Sequence, residues 1–346
     1  MRCPHLTELP PAPEGRVGWP WTEECPRLPE RTEDGLQWPL ISIVTPSFNQ
    51  GRFLEETIRS VLLQGYPDLQ YVIVDGGSGD ESVGIIRKYE RWLDYWVSER
   101  DRGQSHAINK GFARVSGQLF NWINSDDCLA PEALRCIGTA SALNPGRIIC
   151  GAVLSVHEDG RSQRFANEGL SLESMLRICP NGSYHQPGVF LPTAALGGGE
   201  PLDEALRFAM DWDVTLRALK WTSAVTIADT VAVFRVHGGS KTSLESGLFL
   251  SEICDVVFRH RGSVEGHSRR EWARVFAAFS TRAAGRCLVR GRVGCAAHHL
   301  IRAARTDVLA AAGACAGLAT GHLWRRACRW RGRPGAGAGE CMIHKA

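Results

Sequence analysis

The stretch ISIVTPSFNQGRFLEETIRSVLLQGYPDLQYVIVDGGSGD, residues 41–80, decides the fold. It begins with a short β-branched run, Ile41–Thr45, and its second apolar run, Tyr71–Asp75, ends in a glycine-rich loop. Between the two runs, apolar residues recur at i, i+4, i+7 and i+8, which predicts an amphipathic helix. These residues are Leu54, Ile58, Val61 and Leu62. Asp80 can cap a second helix. Strand, helix, strand and helix in this order predict parallel strands joined by crossover helices.

The same rhythm continues along the chain, with polar loops after the strands. DYWVSE (94–99) and QLFNWI (118–123) predict two further strands, and the second runs into NSDD (124–127). MDWDVTLRAL (210–219) predicts a helix, and SAVTIADTVAVFRVH (223–237) predicts a long strand. Open α/β sheets bind ligands beyond the carboxyl ends of their strands, so these loops are the candidate functional segments.

The composition is that of a globular chain with an uneven distribution of charge. Of the 346 residues, 44% are hydrophobic and 22% are charged, which excludes disorder of the whole chain. The formal net charge is +3, but residues 241–346 hold 18 Lys and Arg against 7 Asp and Glu. The front of the chain is therefore acidic and can hold a cation, whereas the basic rear suits an anionic surface.

These patterns divide the chain into four parts. We predict that the proline-rich residues 1–38 form an extended arm and that residues 39–242 form an α/β domain. We predict a helical basic extension over 243–330 and a disordered tail over 331–346. The first residues lack the apolar core of a secretory signal, and no apolar run is long enough to span a membrane. The twelve cysteines include no Cys-x-x-Cys pair, which indicates reduced thiols. We therefore predict a cytoplasmic protein.

Four acids stand at the ends of predicted strands or at the start of a helix: Asp75, Asp126, Asp127 and Asp211. A single such acid is typical of a turn or a helix cap. Asp126 and Asp127 are adjacent, however, and two like charges repel each other unless a cation or a proton separates them. A hard divalent ion fits, because magnesium and manganese bind one or two carboxylates together with water and phosphate oxygens.

Five motifs in order resemble the family-two inverting glycosyltransferases with the GT-A fold, of the bacterial polysaccharide type. They are TPSFNQ to DGGSGDES (45–82), SERDRGQSHAINKGF (98–112), NWINSDD (121–127), MDWDVTLRAL (210–219) and FRVHGGSKT (234–242). The resemblance covers Pro39 to Thr242. It implies an α/β fold with a mixed, mostly parallel open sheet flanked by helices. It also implies transfer of a sugar from a nucleoside-diphosphate sugar to a hydroxyl acceptor in one metal-assisted displacement.

For the donor, the resemblance implies that the loop with Pro46, Phe48 and Asn49 lines the nucleotide base pocket. Phe48 stands where Tyr is usual and keeps the stacking face; ordinary core is the alternative for this residue. Asp75 is implied to contact the nucleoside, but the common Asp-Asp-Gly-Ser stands here as Asp75-Gly76-Gly77-Ser78. Asp126 is implied to contact the ribose. The resemblance also implies that Arg102, Asn109 and Lys110 belong to the segment that flanks the donor.

For the metal and the chemistry, the resemblance implies that Asp126, Asp127 and His237 hold Mn²⁺ or Mg²⁺. Asp211 is the implied general base, six residues before Arg217. Asp213 is the alternative base and a weak acceptor contact. The weak assignments also include His185 and Gln186 at the acceptor wall, and Lys241 beside the phosphates.

Several alternatives stay open for the function and the partners. A UDP-sugar is the favoured donor, and the acceptor is a glycan or a lipid-linked glycan. Tryptophans and arginines near 324–333 suit peripheral contact with an anionic membrane at its inner face; a solvated helical cap is the alternative. The chain shows no nucleic-acid-binding module. A non-catalytic GT-A-like module that binds nucleotide or glycan is the second function class. A dinucleotide oxidoreductase is excluded, because no Gly-x-Gly-x-x-Gly follows the first strand.

Overall fold

The protein is described by a computed structural model over residues 3–177, 184–240, 246–263, 277, 280, 281, 284 and 293–306. The chain divides into two compact units, Met1–Gly266 and His267–Ala346. Lys241, the arginine pair 269–270, the Trp-Arg cluster near 324–333 and the tail 331–346 lie outside the described residues. The domain limits inferred from the sequence stay predictions.

The first half of the main sheet is parallel, as the sequence predicts. Its strands run in the spatial order β3-β2-β1-β4, and the helices α1 to α3 connect them. The strands are β1 (Ile41–Ser47), β2 (Leu69–Asp75), β3 (Tyr95–Ser98) and β4 (Leu119–Trp122); the helices are α1 (Gly51–Leu62), α2 (Ser82–Tyr89) and α3 (Gln104–Phe112). Asp80 lies one residue before Glu81, the N-cap of α2, and its Oδ1 accepts a hydrogen bond from the Ser82 N–H at the start of the helix at 3.0 Å. Its Oδ2 also accepts from the Gly51 N–H at 2.9 Å, so one carboxylate fastens two helix starts.

The second half of the sheet is mixed. The order continues β4-β8-β6-β9-β5, and β7 pairs with β6. The elements are β5 (Cys128–Leu129), α4 (Ala133–Leu143), β6 (Ile148–His157), β7 (Ser162–Phe165), α5 (Leu172–Leu176), β8 (Val189–Pro192), α6 (Met210–Ala218), β9 (Ala224–Val236) and α7 (Ser246–His260). Here only β6 and β9 pair in parallel, whereas β8, β7 and β5 each join antiparallel.

This architecture confirms the predicted fold class, a mixed open sheet with helices on its faces. The described residues also include five short 3-10 helices, at Leu6–Glu8, Glu90–Trp92, Gln186–Gly188, Thr193–Ala195 and Arg261–Ser263. The core lies between β1, β2 and the helices α1, α2 and α4, where Ile43, Ile58 and Ile137 have no exposed surface. Strands β1 and β2 are buried almost throughout, which explains their continuous apolar runs.

The N-terminal segment 3–38 lies against the domain. Cys3, Leu9, Trp21, Cys25 and Trp38 are buried. Trp19 donates its indole N–H to the carbonyl of Leu129 at 3.0 Å, so the segment also contacts the strand after the Asp126–Asp127 loop.

A buried arginine fastens this segment to α1. The Arg59 guanidinium donates to the carbonyls of Pro10 at 2.9 Å, Pro20 at 3.0 Å and Trp21 at 3.0 Å. It also donates to the Tyr89 hydroxyl at 3.1 Å. The side chain is almost fully buried, and it donates to the buried carbonyls of Pro20 and Trp21 and to the half-buried carbonyl of Pro10.

Helix α7 holds α6 at two points. Near the start of α6, the Glu252 carboxylate accepts hydrogen bonds from three successive backbone N–H groups, those of Arg207 at 2.9 Å, Phe208, and Ala209 at 2.7 Å. One turn into α6, Asp213 accepts from His260 Nε2 at 2.8 Å. The N–H groups before and within the first turn of a helix lack partners inside it, so Glu252 caps α6 from another element.

The second unit contributes α8 (Val293–Thr306) to the described residues. Ala303 packs with Ala277, and Ala296 packs with Ala284. Within the described residues of the whole chain, no helix has the length and the apolar character needed to cross a membrane.

We expect Arg59→Met to lower the free energy of unfolding by about 3 kcal/mol or more, because two buried carbonyls and one half-buried carbonyl lose their donor. Urea denaturation of the full chain measures this change. Arg16→Met is the matched control. Arg16 lies over the Trp21 ring, 5.4 Å from its centroid, but its side chain is exposed. Its cation–π contact is worth less than about 1 kcal/mol. Equal losses for the two variants would contradict the buried-clamp role.

We expect Glu252→Ala to speed hydrogen exchange at the amides of residues 207–209 and to cost about 1–2 kcal/mol of stability, because the start of α6 loses its cap. Hydrogen-exchange mass spectrometry and denaturation measure the two effects. Asp255→Ala removes the same charge from an exposed position of α7 and serves as the control. Unchanged exchange at 207–209 would show that Glu252 does not cap α6.

Candidate active site

The loop after β1 presents an aromatic ring to solvent. Phe48 is 59% exposed, so the alternative of an ordinary core residue is wrong. Pro46 is buried in β1 opposite Val74. Asn49 adopts a left-handed conformation with φ of 52° and fastens the loop to the one after β2. Its N–H donates to Ser78 Oγ at 2.8 Å, and its Oδ1 accepts from the Gly79 N–H at 2.9 Å.

Asp75 ends β2 and is fully buried. Its Oδ2 accepts from the N–H groups of Gly77 at 3.1 Å and Ser78 at 2.8 Å, and from Ser98 Oγ at 2.7 Å. Its Oδ1 accepts from Ser78 Oγ at 2.5 Å. Four protein donors therefore surround this carboxylate. Three of these bonds come from Gly77 and Ser78, so Asp75 holds the conformation of the Gly76–Ser78 loop.

The NSDD loop after β4 brings Asp126 next to His237. Asp126 Oδ2 lies 3.1 Å from His237 Nε2, and the Asp126 side chain is 19% exposed. His237 follows β9, so residues 111 positions apart in sequence meet at one edge of the sheet. The imidazole ring also packs on Phe53 of α1, with ring centroids 4.8 Å apart.

Asp127 lies behind this pair and is fully buried. Its Oδ1 accepts from the Arg235 backbone N–H at 3.1 Å, and its Oδ2 accepts from Asn124 Nδ2 at 3.1 Å. Burial, together with the charge of Asp126, raises the pKa of the Asp127 carboxyl well above its ordinary value, although the hydrogen bonds from Arg235 and Asn124 act to lower it. Thr57 of α1 donates to the Asp127 carbonyl at 2.6 Å and fixes the backbone.

Arg235 is a site residue that the sequence motifs leave unassigned. Its guanidinium donates to the Asp126 carbonyl at 2.9 Å, to Glu56 and to Cys128 Sγ at 3.1 Å. It also lies over Phe53, 5.5 Å from the ring centroid. The only sequence signal for Arg235 is its position two residues before His237. Its partners come from α1 and from the NSDD loop, and no local sequence pattern connects those segments to β9.

The two acids of α6 have different surroundings. Asp211 is partly exposed in the first turn, and its Oδ1 accepts from the Trp212 N–H at 2.7 Å. Asp213 is buried and accepts from Arg217 Nε at 2.9 Å and from His260. Burial acts to raise the pKa of Asp213, but the hydrogen bond from His260 and the charge of Arg217 lower it below its ordinary value.

The residues implied to flank the donor are engaged with other protein groups. Arg102 makes a bidentate ion pair with Glu204 at 2.8 and 3.0 Å on the surface. Asn109 is buried, and both sides of its amide pair with the backbone of Leu202 at 2.9 Å. Lys110 Nζ lies 2.6 Å from Glu99 Oε1.

His185 and Gln186, two of the three weak acceptor residues, start the short segment before β8. The backbone of His185 pairs with the side chain of Asn167, and its ring packs on Phe165 with centroids 4.2 Å apart. Gln186 is buried and donates to Asn121 Oδ1 and to the Trp122 carbonyl, both at 2.9 Å. Gln186 therefore joins β4 to the 3-10 helix.

A shallow depression of about 330 Å³ adjoins His237. Its lining consists of His157, Glu158, Asp159, Val236, His237 and Gly238. In the part of the chain that the structure describes, no three His, Cys, Asp or Glu side chains converge as a metal site. Within the same residues, two buried side-chain atoms lack a hydrogen bond, Ser47 Oγ next to Phe48 and Trp212 Nε1 next to Asp211.

Comparisons with known proteins agree with this architecture. Residues 42–190 match the model of glycosyl transferase family 2. An uncharacterized glycosyltransferase of Rickettsia typhi is 25% identical over 214 residues, which cover 59% of this chain and 66% of that protein. One of Mycobacterium tuberculosis is 39% identical over 114 residues, covering 30% of this chain and 44% of its own length. The chain thus spans less than two thirds of each of these relatives.

Two solved structures share the fold. The mannosyltransferase PcManGT of Pyrobaculum calidifontis, in complex with GDP-Man and Mn²⁺, has a TM-score of 0.52 at 20% identity and covers 85% of this chain and 83% of its own. TarS residues 1–349 of S. aureus, with UDP-GlcNAc, has a TM-score of 0.51 at 17% identity and covers 81% and 92%. The chain is thus similar to glycosyl transferase family 2 over residues 42–190, and it shares the fold of these two solved structures.

Proposed function

We propose that the chain is an inverting glycosyltransferase that moves a sugar from a nucleoside-diphosphate sugar to a hydroxyl of a glycan or lipid-linked acceptor. The observation that carries the proposal is the pair of Asp126 and His237, 3.1 Å apart at the edge of the sheet where the loops after β1, β2 and β4 lie. A partly exposed carboxylate beside an imidazole at the carboxyl ends of strands suits a metal-bound diphosphate. Peripheral contact with an anionic membrane stays a prediction for the C-terminal extension.

The exposed Phe48 supports a nucleotide donor, because a base can stack on an aromatic ring that solvent otherwise covers. The related folds hold UDP-GlcNAc and GDP-Man. We propose a nucleoside-diphosphate sugar for this chain as well, with a UDP-sugar as the first to test. Buried polar atoms normally have partners, so the unpaired Ser47 Oγ supports a ligand contact next to Phe48.

The donor set at Asp126 and His237 fits Mn²⁺ or Mg²⁺. One carboxylate and one imidazole leave positions for water and phosphate oxygens, which these ions prefer to a complete protein cage. Asp127 is buried behind them, with both of its oxygens bonded to Arg235 and Asn124, and this arrangement supports a positioning role for it. The ion, when bound, stabilises negative charge on the leaving diphosphate.

Asp211 is the proposed general base. An acceptor hydroxyl attacks the anomeric carbon of the donor sugar while Asp211 takes its proton, and the bond from that carbon to the β-phosphate oxygen breaks. The nucleoside diphosphate leaves with the electron pair, and the configuration at the anomeric carbon inverts. The ion pairs of Asp213 with Arg217 and His260 support Asp211 over Asp213, since a carboxylate already held by two cationic or hydrogen-bonding groups is a weaker base.

We expect Asp211→Asn to lower turnover by roughly 10²- to 10⁴-fold, because the hydroxyl loses its proton acceptor. The assay measures nucleoside diphosphate released from UDP-GlcNAc and GDP-Man with Mn²⁺. Affinity for UDP should stay within about twofold, since Asp211 acts on the acceptor side. Asp229→Asn, an exposed position of β9, is the charge-matched control. Near-normal turnover in Asp211→Asn would refute this base. Donor binding without any turnover in the wild-type chain would favour a binding module.

We expect Asp126→Asn and His237→Ala to lose the increase in nucleotide affinity that Mn²⁺ gives, by roughly tenfold or more, because the ion loses a ligand. Calorimetric titration of UDP and GDP, with and without Mn²⁺, measures this. Glu158→Gln is the matched control, since Glu158 lines the same depression beside His237. A Mn²⁺ effect that persists in Asp126→Asn would remove Asp126 from the ion's ligands.

A further inference from the structure

Gly76 marks a small space between two loops of the proposed nucleotide site. A Cβ added at Gly76 would lie 2.6 Å from Asp101 Oδ2 and 3.3 Å from Phe48 Cδ2. Asp101 comes from the loop after β3, and Phe48 comes from the loop after β1. A carboxylate oxygen and an exposed aromatic ring therefore border the same position, the one where the common second aspartate of the motif would project its side chain.

The Asp101 carboxylate is held in a defined orientation. Its Oδ1 accepts from the Gly103 N–H at 2.8 Å. The loops on either side are also fastened, because the Glu99 N–H donates to the Asp75 carbonyl at 3.0 Å and the Gly76 N–H donates to the Ser47 carbonyl at 2.8 Å. Oδ2 is consequently the oxygen that faces Gly76, and half-burial of the residue keeps it near the loop surface.

Asp75 and Asp101 differ in what they can offer a ligand. Four protein donors surround the Asp75 carboxylate, which is fully buried. Among the described residues, no hydrogen bond is made to Asp101 Oδ2. A base that stacked on Phe48 would therefore meet Asp101 as the available acceptor.

We infer that Asp101 is a specificity-determining residue of the nucleotide site, which accepts the imino N–H of a uracil or guanine base that lies against Phe48. This inference rests on the proposed function. An ionised carboxylate only accepts hydrogen bonds. Uracil N3 and guanine N1 carry a hydrogen, whereas cytosine N3 and adenine N1 are bare acceptors. At this ring position the carboxylate oxygen therefore accepts a hydrogen bond from uracil or guanine. It meets a lone pair on cytosine or adenine, whose nearest donor is the exocyclic amino group.

Asp101 also accounts for the glycine in the motif. A side chain at position 76 would place its Cβ 2.6 Å from Asp101 Oδ2, so the Asp101 carboxylate would have to leave its present position. The loop after β3 supplies the carboxylate that the loop after β2 lacks. A charge-assisted hydrogen bond of this kind predicts a preference of roughly ten- to hundredfold for bases with an imino N–H.

The test is calorimetric titration of UDP, GDP, CDP and ADP, at one Mn²⁺ concentration, into the full chain and two variants. Asp101→Asn keeps an oxygen for the Gly103 N–H but replaces the second acceptor with a donor. We expect it to weaken UDP or GDP at least tenfold and to leave CDP unchanged or tighter. Glu99→Gln removes a charge from the same loop and should leave the ratio of UDP to CDP affinity unchanged.

The outcomes separate the two hypotheses. If the wild-type chain binds none of the four nucleotides, the proposed function fails. If it binds UDP or GDP and Asp101→Asn keeps the ratio of UDP or GDP to CDP affinity within twofold, the inference about Asp101 is overturned while the proposed function stands. Equal wild-type affinity for UDP, GDP, CDP and ADP overturns it as well. A melting curve of Asp101→Asn that matches the wild type verifies that the variant is folded.

Discussion

The burial of one carboxylate next to another is the constraint on which the candidate site depends. Asp127 is fully buried and directly follows Asp126 on the chain, so both its burial and the charge of Asp126 oppose its ionisation. The fold offsets this cost with Arg235, whose backbone N–H reaches Asp127 and whose guanidinium reaches the Asp126 carbonyl. The arrangement turns Asp126 toward His237 and the edge of the sheet.

Helix α1 transmits this constraint to the rest of the domain. One part of the helix holds the NSDD loop, through Thr57 and the Asp127 carbonyl and through Glu56 and Arg235. Another part holds the N-terminal segment through Arg59. The segment in turn reaches β5 through Trp19, which donates to the Leu129 carbonyl in the strand that follows the acids. The N-terminal segment is therefore part of the framework that supports the site.

Much of this fold could be predicted from the sequence, because local periodicity determined it. The apolar runs of β1 and β2 and the spacing of Leu54 and Ile58 indicate elements that the structure confirms. The antiparallel entry of β8 could not be predicted, since its pairing partners β4 and β6 lie far from it in sequence. The hydrogen bond from Asn109 to the Leu202 carbonyl could not be predicted either, because the two residues are 93 positions apart. A motif shows which side chains are present, but long-range packing decides which of them are already occupied.

The family match ends at residue 190, so some residues of the candidate site lie inside it and others lie beyond it. Phe48 and the acids Asp75, Asp101 and Asp126 of the proposed donor side lie within the matched residues. Asp211, His237 and the cap residue Glu252 lie beyond it, and Glu252 acts on α6 from 45 to 43 residues away. The Glu252 carboxylate accepts hydrogen bonds from the N–H groups just before α6. It therefore also helps to position the first turn of α6, which contains Asp211. Helix α7 contacts the start of α6 through Glu252 and Asp213 through His260, so substitutions at these two positions act directly on the segment that carries Asp211.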